Sequence, residues 1–131
     1  MAIVISQRII LIFAPMSKIF TTEITSEQIT SDNPIHQRLF KAYVVAKGHV
    51  HGQLLEVGCG EGRGVSLLQE YTSNYTAVDK IKSVIDDLQK KHPTSRFISM
   101  NIPPLSGLED NFFDSVASFQ VIEHIKDDEL F

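Results

Sequence analysis

Residues 54–64 of the chain read LLEVGCGEGRG, and the predicted architecture follows from this stretch. It begins with a short, mostly apolar run that is typical of a buried strand. Four glycines follow at alternating positions, from Gly58 to Gly64, and residues 65–70 then fit a helix. A loop that leaves the carboxyl end of a buried strand can bring glycine backbone closer to a ligand than a Cβ would allow. The stretch therefore predicts a strand, a nucleotide-binding loop and a helix; the alternative is a tight turn that binds nothing.

The spacing of the glycines distinguishes between classes of nucleotide. The dinucleotide fingerprint has glycine at its first, third and sixth positions, and counting from Gly58 the sixth position is Arg63. The loop also lacks the lysine followed by Ser or Thr that a P-loop uses to hold a triphosphate and Mg²⁺. The pattern therefore disfavours NAD and nucleoside triphosphates, and an NAD-dependent oxidoreductase is kept as the alternative enzyme class.

Helices and strands alternate on both sides of this loop. Residues 31–34 form a helix start, with a capping side chain and then a proline, and the apolar spacing predicts a helix over 35–47 that stops at Gly48. The other predicted elements are strands at 53–57, 74–79, 96–100 and 112–119, helices at 65–70, at about 80–91 and from residue 121 onward, and a proline-containing loop at 102–107. This alternation predicts an α/β fold: a Rossmann-like, doubly wound, mainly parallel sheet with helices on both faces, truncated after about the fourth strand.

Residues 55–62, LEVGCGEG, resemble motif I of class I S-adenosylmethionine-dependent methyltransferases, in which an acid and three glycines alternate with other residues. The resemblance continues at Asp79, at 97–102 and at 113–125, the last being similar to the small-molecule branch of that family. It covers only the amino-terminal part of the family's domain. It implies an enzyme that transfers a methyl group to a small-molecule acceptor by in-line displacement, with S-adenosyl-L-methionine as cofactor and S-adenosyl-L-homocysteine as product.

The resemblance assigns roles to individual residues. It implies that Glu56 reaches the amino group of the cofactor, that Asp79 accepts hydrogen bonds from the ribose hydroxyls, and that Phe119 and Gln120 lie nearest the sulfonium. Asn101 stands where the family often has Asp, and its amide oxygen can still accept a hydrogen bond from the adenine amine. The full set of expected cofactor-binding residues is Glu56, Gly58, Cys59, Gly60, Gly62, Asp79, Lys80, Asn101, Ile102, Phe119 and Gln120.

Each of these assignments has a purely structural alternative. Glu56 can be a polar residue at a strand end, Asp79 can cap the following helix, and Asn101 can be an ordinary loop residue. His124 is the candidate catalytic base, although a histidine at a helix start is more often a structural hydrogen-bonding residue. The histidines and acids show no spacing typical of a metal site, so no metal is expected.

Composition narrows the function further. Sixteen acidic and twelve basic residues give a net charge of -4, and the basic residues are scattered, so nucleic acid is not an expected partner. The single cysteine excludes an intramolecular disulfide and favours a cytoplasmic location. The apolar stretch 9–14 is under half of the roughly 20 residues that a membrane span needs, and residues 15–18 are a poor signal cleavage site.

The domain organisation is expected to have two parts. Residues 1–33 are interpreted as an amino-terminal extension and cap segment, and 34–131 as a partial cofactor-binding domain. Residues 1–15 can be an extension upstream of a start at Met16 or an added strand-like arm, while 21–30 and the helix at 35–47 would form a lid over the cofactor. In the family's topology the strand at 113–119 would be left as an exposed edge, which predicts pairing with another copy. A catalytically silent nucleotide-binding module is the non-enzyme alternative.

Overall fold

The computed structural model describes residues 2–5, 8–11 and 34–126, and these ranges form one sheet with helices packed on it. The strands are β1 (Ala2–Ile5), β2 (Arg8–Leu11), β3 (Gln53–Val57), β4 (Asn74–Asp79), β5 (Arg96–Ser99) and β6 (Ser115–Ser118). The helices are α1 (Pro34–Ala46), α2 (Val65–Leu68) and α3 (Lys82–Lys91), with short 3₁₀ turns at Gln69–Tyr71 and Ile122–His124. The strand order is β2-β1-β6-β3-β4-β5.

Four neighbouring strands of the sheet run parallel to one another: β6, β3, β4 and β5. Leu55 of β3 pairs with Thr76 of β4 on one side and with Val116 of β6 on the other. The carboxyl ends of these strands therefore meet at one edge, where ligands bind in open parallel sheets. This arrangement confirms the predicted Rossmann-like fold class.

The two faces of the sheet are covered differently. One face, which carries Leu54, packs against all three described helices through a cluster that includes Tyr43 of α1, Leu68 of α2 and Leu88 of α3. The opposite face presents a second cluster, which the segment 100–113 covers with five partly buried side chains: Met100, Ile102, Leu105, Leu108 and Phe113. Within the described ranges, the helices thus gather on the face that also carries the Glu56 side chain, whereas the sequence predicted helices on both faces.

The strand β6 is not an edge, which corrects the sequence-based expectation. β1 pairs antiparallel with β6, from Ala2 opposite Ser118 to Ile5 opposite Ser115, and β2 continues the sheet beyond β1. The backbone groups of β6 that the prediction left unpaired are therefore satisfied by a hairpin from the start of the chain. The predicted pairing of β6 with another copy loses its basis. The predicted lid segment at 21–30 lies outside the described residues.

Three predicted boundaries also shift. Helix α3 begins at Lys82 rather than at about residue 80, because the Asp79 carboxylate accepts a hydrogen bond from the backbone of Ile81 and forms a turn there. β6 begins at Ser115 rather than at residue 112 and ends at Ser118, two residues before Gln120, which takes a left-handed conformation with φ of 55°. The predicted helix from residue 121 is, within the described residues, one 3₁₀ turn.

None of the helices within the described ranges is long and apolar enough to cross a membrane.

Replacing Leu54 with alanine tests the core of the sheet. Leu54 is fully buried at the centre of the helix-covered face, so Leu54→Ala should lower the free energy of unfolding by about 2 to 5 kcal/mol. Urea unfolding followed by circular dichroism measures this change. Val44 of α1 is 39% exposed, and Val44→Ala is the matched control, which should lower the free energy of unfolding by less than about 1 kcal/mol. Equal losses in the two variants would contradict the placement of Leu54.

Candidate cofactor-binding site

The glycine loop connects β3 to α2 at the carboxyl edge of the sheet. The backbone N–H groups of Gly58 and Cys59 both donate to the carbonyl of Val78, at 2.8 and 3.3 Å, so the loop is tied to the neighbouring strand β4. Gly58, Gly60 and Gly62 have φ values of 77°, 52° and 81°, in the left-handed region where other residues are strained. The alternation of glycines therefore reflects a chain that turns repeatedly through left-handed conformations.

The surroundings of the four glycines separate structural positions from an accessible one. A Cβ at Gly58 would lie 2.2 Å from Val121, one at Gly62 would lie 2.3 Å from Leu88, and one at Gly64 would lie 2.0 Å from the ring of Tyr43. At Gly60, by contrast, none of the described residues other than its chain neighbours has a heavy atom within 4 Å of the Cβ position. Three glycines allow close packing within the protein, and Gly60 faces open space.

Asp79 fixes the exposed part of this loop. Its Oδ2 accepts a hydrogen bond of 3.0 Å from the backbone N–H of Gly60, and its Oδ1 accepts one of 3.1 Å from that of Ile81. One carboxylate therefore joins the loop to the residue before α3. The N-cap of that helix is Ile81 and no side chain caps it, so Asp79 is not the helix cap that the structural alternative predicted. A carboxylate has about four acceptor positions, so Asp79 keeps capacity for ligand hydroxyls.

Glu56 lies beneath the loop rather than on its surface. Its side chain is buried, with Oε1 accepting a 2.7 Å hydrogen bond from the Tyr43 hydroxyl and Oε2 accepting one from the Tyr75 hydroxyl. The pKa of the Glu56 carboxyl is raised from 4.5 to about 7, chiefly because burial disfavours the charged form. The hydrogen bonds from Tyr75 and Tyr43 oppose this shift, and the charge of Asp79 adds to it.

The two tyrosines are site residues that the sequence interpretation did not include. Tyr43 belongs to the three-and-four apolar spacing of α1 and was assigned only to the core, while Tyr75 was assigned only to a strand. Burial raises the pKa of both hydroxyls well above 10.0, so both remain protonated donors to Glu56. Buried polar groups need hydrogen-bond partners. Glu56 is an acid in a mostly apolar strand, and this signal could have suggested that tyrosine hydroxyls donate to it.

Cys59 is a packing residue of the loop. The thiol is buried, and burial raises the pKa of Cys59 so far that it stays protonated, with the charges of Glu56 and Asp79 adding to the effect. Its Sγ lies 3.7 Å from the carbonyl oxygen of Gly60. The backbone of Cys59, rather than its thiol, is therefore the part that can serve a ligand.

The turn after β6 lies against the loop. The ring of Phe119 packs on the ring of Tyr43 at a centroid distance of 4.3 Å, and Val121 occupies the position next to Gly58. Gln120, between them, is exposed and has a positive φ of 55°. The structure thus brings the predicted residues at 119–120 next to the glycine loop, and a non-glycine residue in this conformation is typical of functional turns.

The remaining predicted residues lie along the same edge but are less enclosed. Lys80 is exposed and directly follows Asp79, and Asn101 and Ile102 follow Met100, whose N–H donates to the Asp79 carbonyl at 2.9 Å. His124 is exposed in the 3₁₀ turn after Val121. Within the described ranges, no group of three or more His, Cys, Asp or Glu side chains could hold a metal ion.

Residues 55–131 match the family model described as a methyltransferase domain. The chain belongs to this family. The matched region begins in β3 and contains the glycine loop, Asp79 and the turn after β6. The resemblance found in the sequence rests on these same segments. The match confirms the resemblance to class I S-adenosylmethionine-dependent methyltransferases and favours it over the NAD-dependent alternative.

Curated relatives agree with this assignment. A probable S-adenosylmethionine-dependent methyltransferase of Mycobacterium tuberculosis is 35% identical over 78 residues, which are 60% of this chain and 28% of that protein. A similarly named protein of Mycolicibacterium smegmatis is 32% identical over 78 residues, 60% of this chain and 30% of that protein. The ubiquinone biosynthesis O-methyltransferase of Rickettsia typhi is 30% identical over 99 residues, 68% of this chain and 39% of that protein. The chain thus spans about a third of the length of these relatives.

The environment of Glu56 predicts a dependence of stability on pH. The pKa of Glu56 rises from 4.5 to about 7 on folding, so the folded state favours the protonated carboxyl. The contribution of this group to the free energy of unfolding is fully present below pH 4.5 and is lost as pH rises through 7. Relative to Glu56→Gln, which is always neutral, the wild-type free energy of unfolding should fall by about 3 kcal/mol between pH 4.5 and pH 8.

Urea unfolding at a series of pH values measures this difference. Glu70→Gln replaces an exposed acid on the 3₁₀ turn after α2 and is the matched control, which should follow the wild type throughout. A difference between the wild type and Glu56→Gln that stays constant over this pH range would contradict the buried environment of Glu56.

Proposed function

We propose that this chain binds S-adenosyl-L-methionine at the glycine loop and contributes to methyl transfer onto a small-molecule acceptor. The observation that carries the proposal is the pairing of Gly60 with Asp79. Gly60 faces open space at the carboxyl edge of the parallel sheet, and its N–H is held by a carboxylate that has capacity for further hydrogen bonds. Membership of the methyltransferase domain family supports the same function.

The residues present fit this cofactor. An adenosyl ligand needs a loop whose backbone it can approach, an acceptor for its ribose hydroxyls and an apolar wall beside the sulfonium. Gly60 leaves the loop accessible, Asp79 offers the acceptor, and Phe119 lies directly after β6 and packs on Tyr43. We assign Asn101 and Ile102 to the adenine end and Gln120 to the methionine end. Lys80 is assigned to the ribose side, next to Asp79.

The glycines with packed surroundings act indirectly in this proposal. Gly58 and Gly62 allow Val121 and Leu88 to approach the loop, and Cys59 adds its buried thiol, so these residues set the loop's shape. Glu56 is assigned an electrostatic role beneath the loop, because both oxygens of its carboxylate already accept hydrogen bonds from tyrosine hydroxyls. His124 stays the candidate base, exposed near the post-β6 turn.

The protein's part in the reaction is positioning. The cofactor supplies a methyl group that is already activated on a sulfonium, and well-oriented intramolecular reactions reach effective molarities of about 10⁵ to 10⁸ M. The hydrogen bonds from Gly58 to Val78 and from Gly60 to Asp79 hold the loop in one conformation. The packed pair of Tyr43 and Phe119 excludes water from the inner side of the loop.

The acceptor is proposed to be a small molecule. The sequence at 113–125 is similar to the small-molecule branch of the family, and the relative from Rickettsia typhi is named for ubiquinone biosynthesis. The single cysteine supports a cytoplasmic location for this activity.

Substitutions at Asp79 and Gly60 test the cofactor site. Asp79→Ala removes the acceptor for the ribose hydroxyls and for the Gly60 N–H, and should weaken binding of S-adenosylmethionine or S-adenosylhomocysteine by at least about tenfold. Gly60→Ala adds a methyl group in the space that the ligand needs and should also weaken binding, while its left-handed φ costs only about 1 to 2 kcal/mol of stability. Isothermal titration calorimetry measures both effects.

Gly48→Ala is the matched control, because within the part of the chain that the structure describes a Cβ there would meet the Val45 carbonyl alone, at an ordinary 3.7 Å. It should bind the cofactor like the unsubstituted chain. Mass spectrometry of the purified protein adds a direct readout, in which retained S-adenosylmethionine or S-adenosylhomocysteine is expected for the wild type and reduced for Asp79→Ala. Retention unchanged by Asp79→Ala would count against the assigned ribose contact.

A further inference from the structure

We propose that Tyr43 of α1 is a positioning residue of the cofactor site, and that it makes binding of the cationic cofactor depend on the ionisation of Glu56. The inference rests on the proposed function, since it concerns how the same site holds S-adenosylmethionine. It assigns a role to a helix outside the glycine loop and outside the sequence segment that matches the family. Tyr43 acts through other residues and is not placed in contact with the reacting atoms.

The ring of Tyr43 fills the space between the two segments that approach the cofactor. It lies so close to Gly64, at the start of α2, that a Cβ there would overlap it, and it packs on Phe119 at the end of β6. Tyr43 itself is only 5% exposed. The ring therefore determines how closely the glycine loop and the turn after β6 can come together.

The hydroxyl of Tyr43 connects the same helix to Glu56. It donates one of the two tyrosine hydrogen bonds to the buried carboxylate, and Tyr75 donates the other. A carboxyl with a proton needs fewer donors than a carboxylate, so each tyrosine hydroxyl stabilises the ionised form of Glu56. Loss of either donor should make that form harder to reach.

The charged and titratable groups around Glu56 come from three elements. Tyr43 belongs to α1, Tyr75 and Asp79 belong to β4, and Cys59 and Arg63 belong to the glycine loop. Arg63 is the cation of this set, and its charge acts on Tyr43, whereas Asp79 repels the Glu56 carboxylate. A positively charged ligand above the loop would therefore stabilise the Glu56 carboxylate, whose charged form is disfavoured by burial and by the charge of Asp79.

This arrangement couples cofactor binding to a proton. The Glu56 carboxyl has a pKa of about 7, so near neutral pH it is partly protonated in the ligand-free protein. S-adenosylmethionine carries a sulfonium and an ammonium group, and their attraction to a poorly solvated carboxylate is stronger than in water. Binding should favour the ionised form, release a proton and become tighter as pH rises through 7.

The test is isothermal titration calorimetry of S-adenosylmethionine from pH 5.5 to 8.5 with four proteins: the unsubstituted chain, Tyr43→Phe, Tyr75→Phe and Tyr71→Phe. Tyr71 is 45% exposed on the 3₁₀ turn after α2, and its ring contact with Lys47 survives the change to Phe, so it is the matched control. Titration of the amino group of S-adenosylmethionine affects the measurements on all four proteins equally, so it does not contribute to differences between them. Thermal unfolding of each variant is measured in parallel.

The unsubstituted chain should bind more tightly as pH rises, with a midpoint near 7. Tyr43→Phe keeps the ring but loses the donor, so its midpoint should move upward by about 1 unit or more, with binding about three- to tenfold weaker at pH 7 and recovered at pH 8.5. Tyr75→Phe should behave in the same direction, and Tyr71→Phe should match the unsubstituted chain. A role for Tyr43 in packing alone would leave the midpoint unmoved.

Two outcomes overturn the inference in different ways. If the unsubstituted chain binds the cofactor and Tyr43→Phe has the same midpoint, whatever its affinity, the inference is wrong while the proposed function stands. If the unsubstituted chain binds neither S-adenosylmethionine nor S-adenosylhomocysteine at any pH, the proposed function fails and the inference with it. Should Tyr43→Phe unfold, Tyr75→Phe tests the premise that the inference needs, because it removes the other donor to the same carboxylate. An unmoved midpoint in Tyr75→Phe would overturn the inference, and an upward shift would support it.

Discussion

The carboxyl edge of this sheet depends on the absence of three Cβ atoms. Side chains at Gly58, Gly62 and Gly64 would overlap Val121, Leu88 and Tyr43, which belong to the turn after β6, to α3 and to α1. Protein interiors are packed densely enough that such overlaps cannot be relieved by small adjustments. The loop is therefore the point at which elements from distant parts of the sequence meet, and Gly60 is left as the position that faces outward.

The two carboxylates beside this loop have been given different environments by the same fold. Asp79 is partly exposed and bonded to backbone N–H groups, whereas Glu56 is buried and bonded to hydroxyls. Backbone donors beside solvent stabilise a charged carboxylate, while burial favours a proton on it. One acid is thus suited to hold polar groups of a ligand, and the other to respond to its charge.

The sequence predicted the parallel part of the fold well because that information is local. The bounds of β3 and β4 are those expected from the apolar runs, and the loop between β3 and α2 follows directly from glycine spacing. The pairing of β1 with β6 was missed, since it joins residues far apart and no turn or periodicity signals it. The partners of Glu56 were missed for a related reason: the spacing that places Tyr43 on the apolar side of α1 does not reveal where its hydroxyl points.

The antiparallel pairing of β1 with β6 also has a kinetic side. Ala2 and Ser118 are 116 positions apart in the sequence, so this ladder closes a loop that contains the rest of the sheet. The entropic cost of such closure grows with loop length, and contacts between distant residues slow folding. During synthesis the β1–β2 hairpin is made before β6 and has no strand to join until β6 emerges. The edge of β1 therefore stays unpaired while the glycine loop is translated, and unpaired strand edges are prone to aggregation before folding is complete.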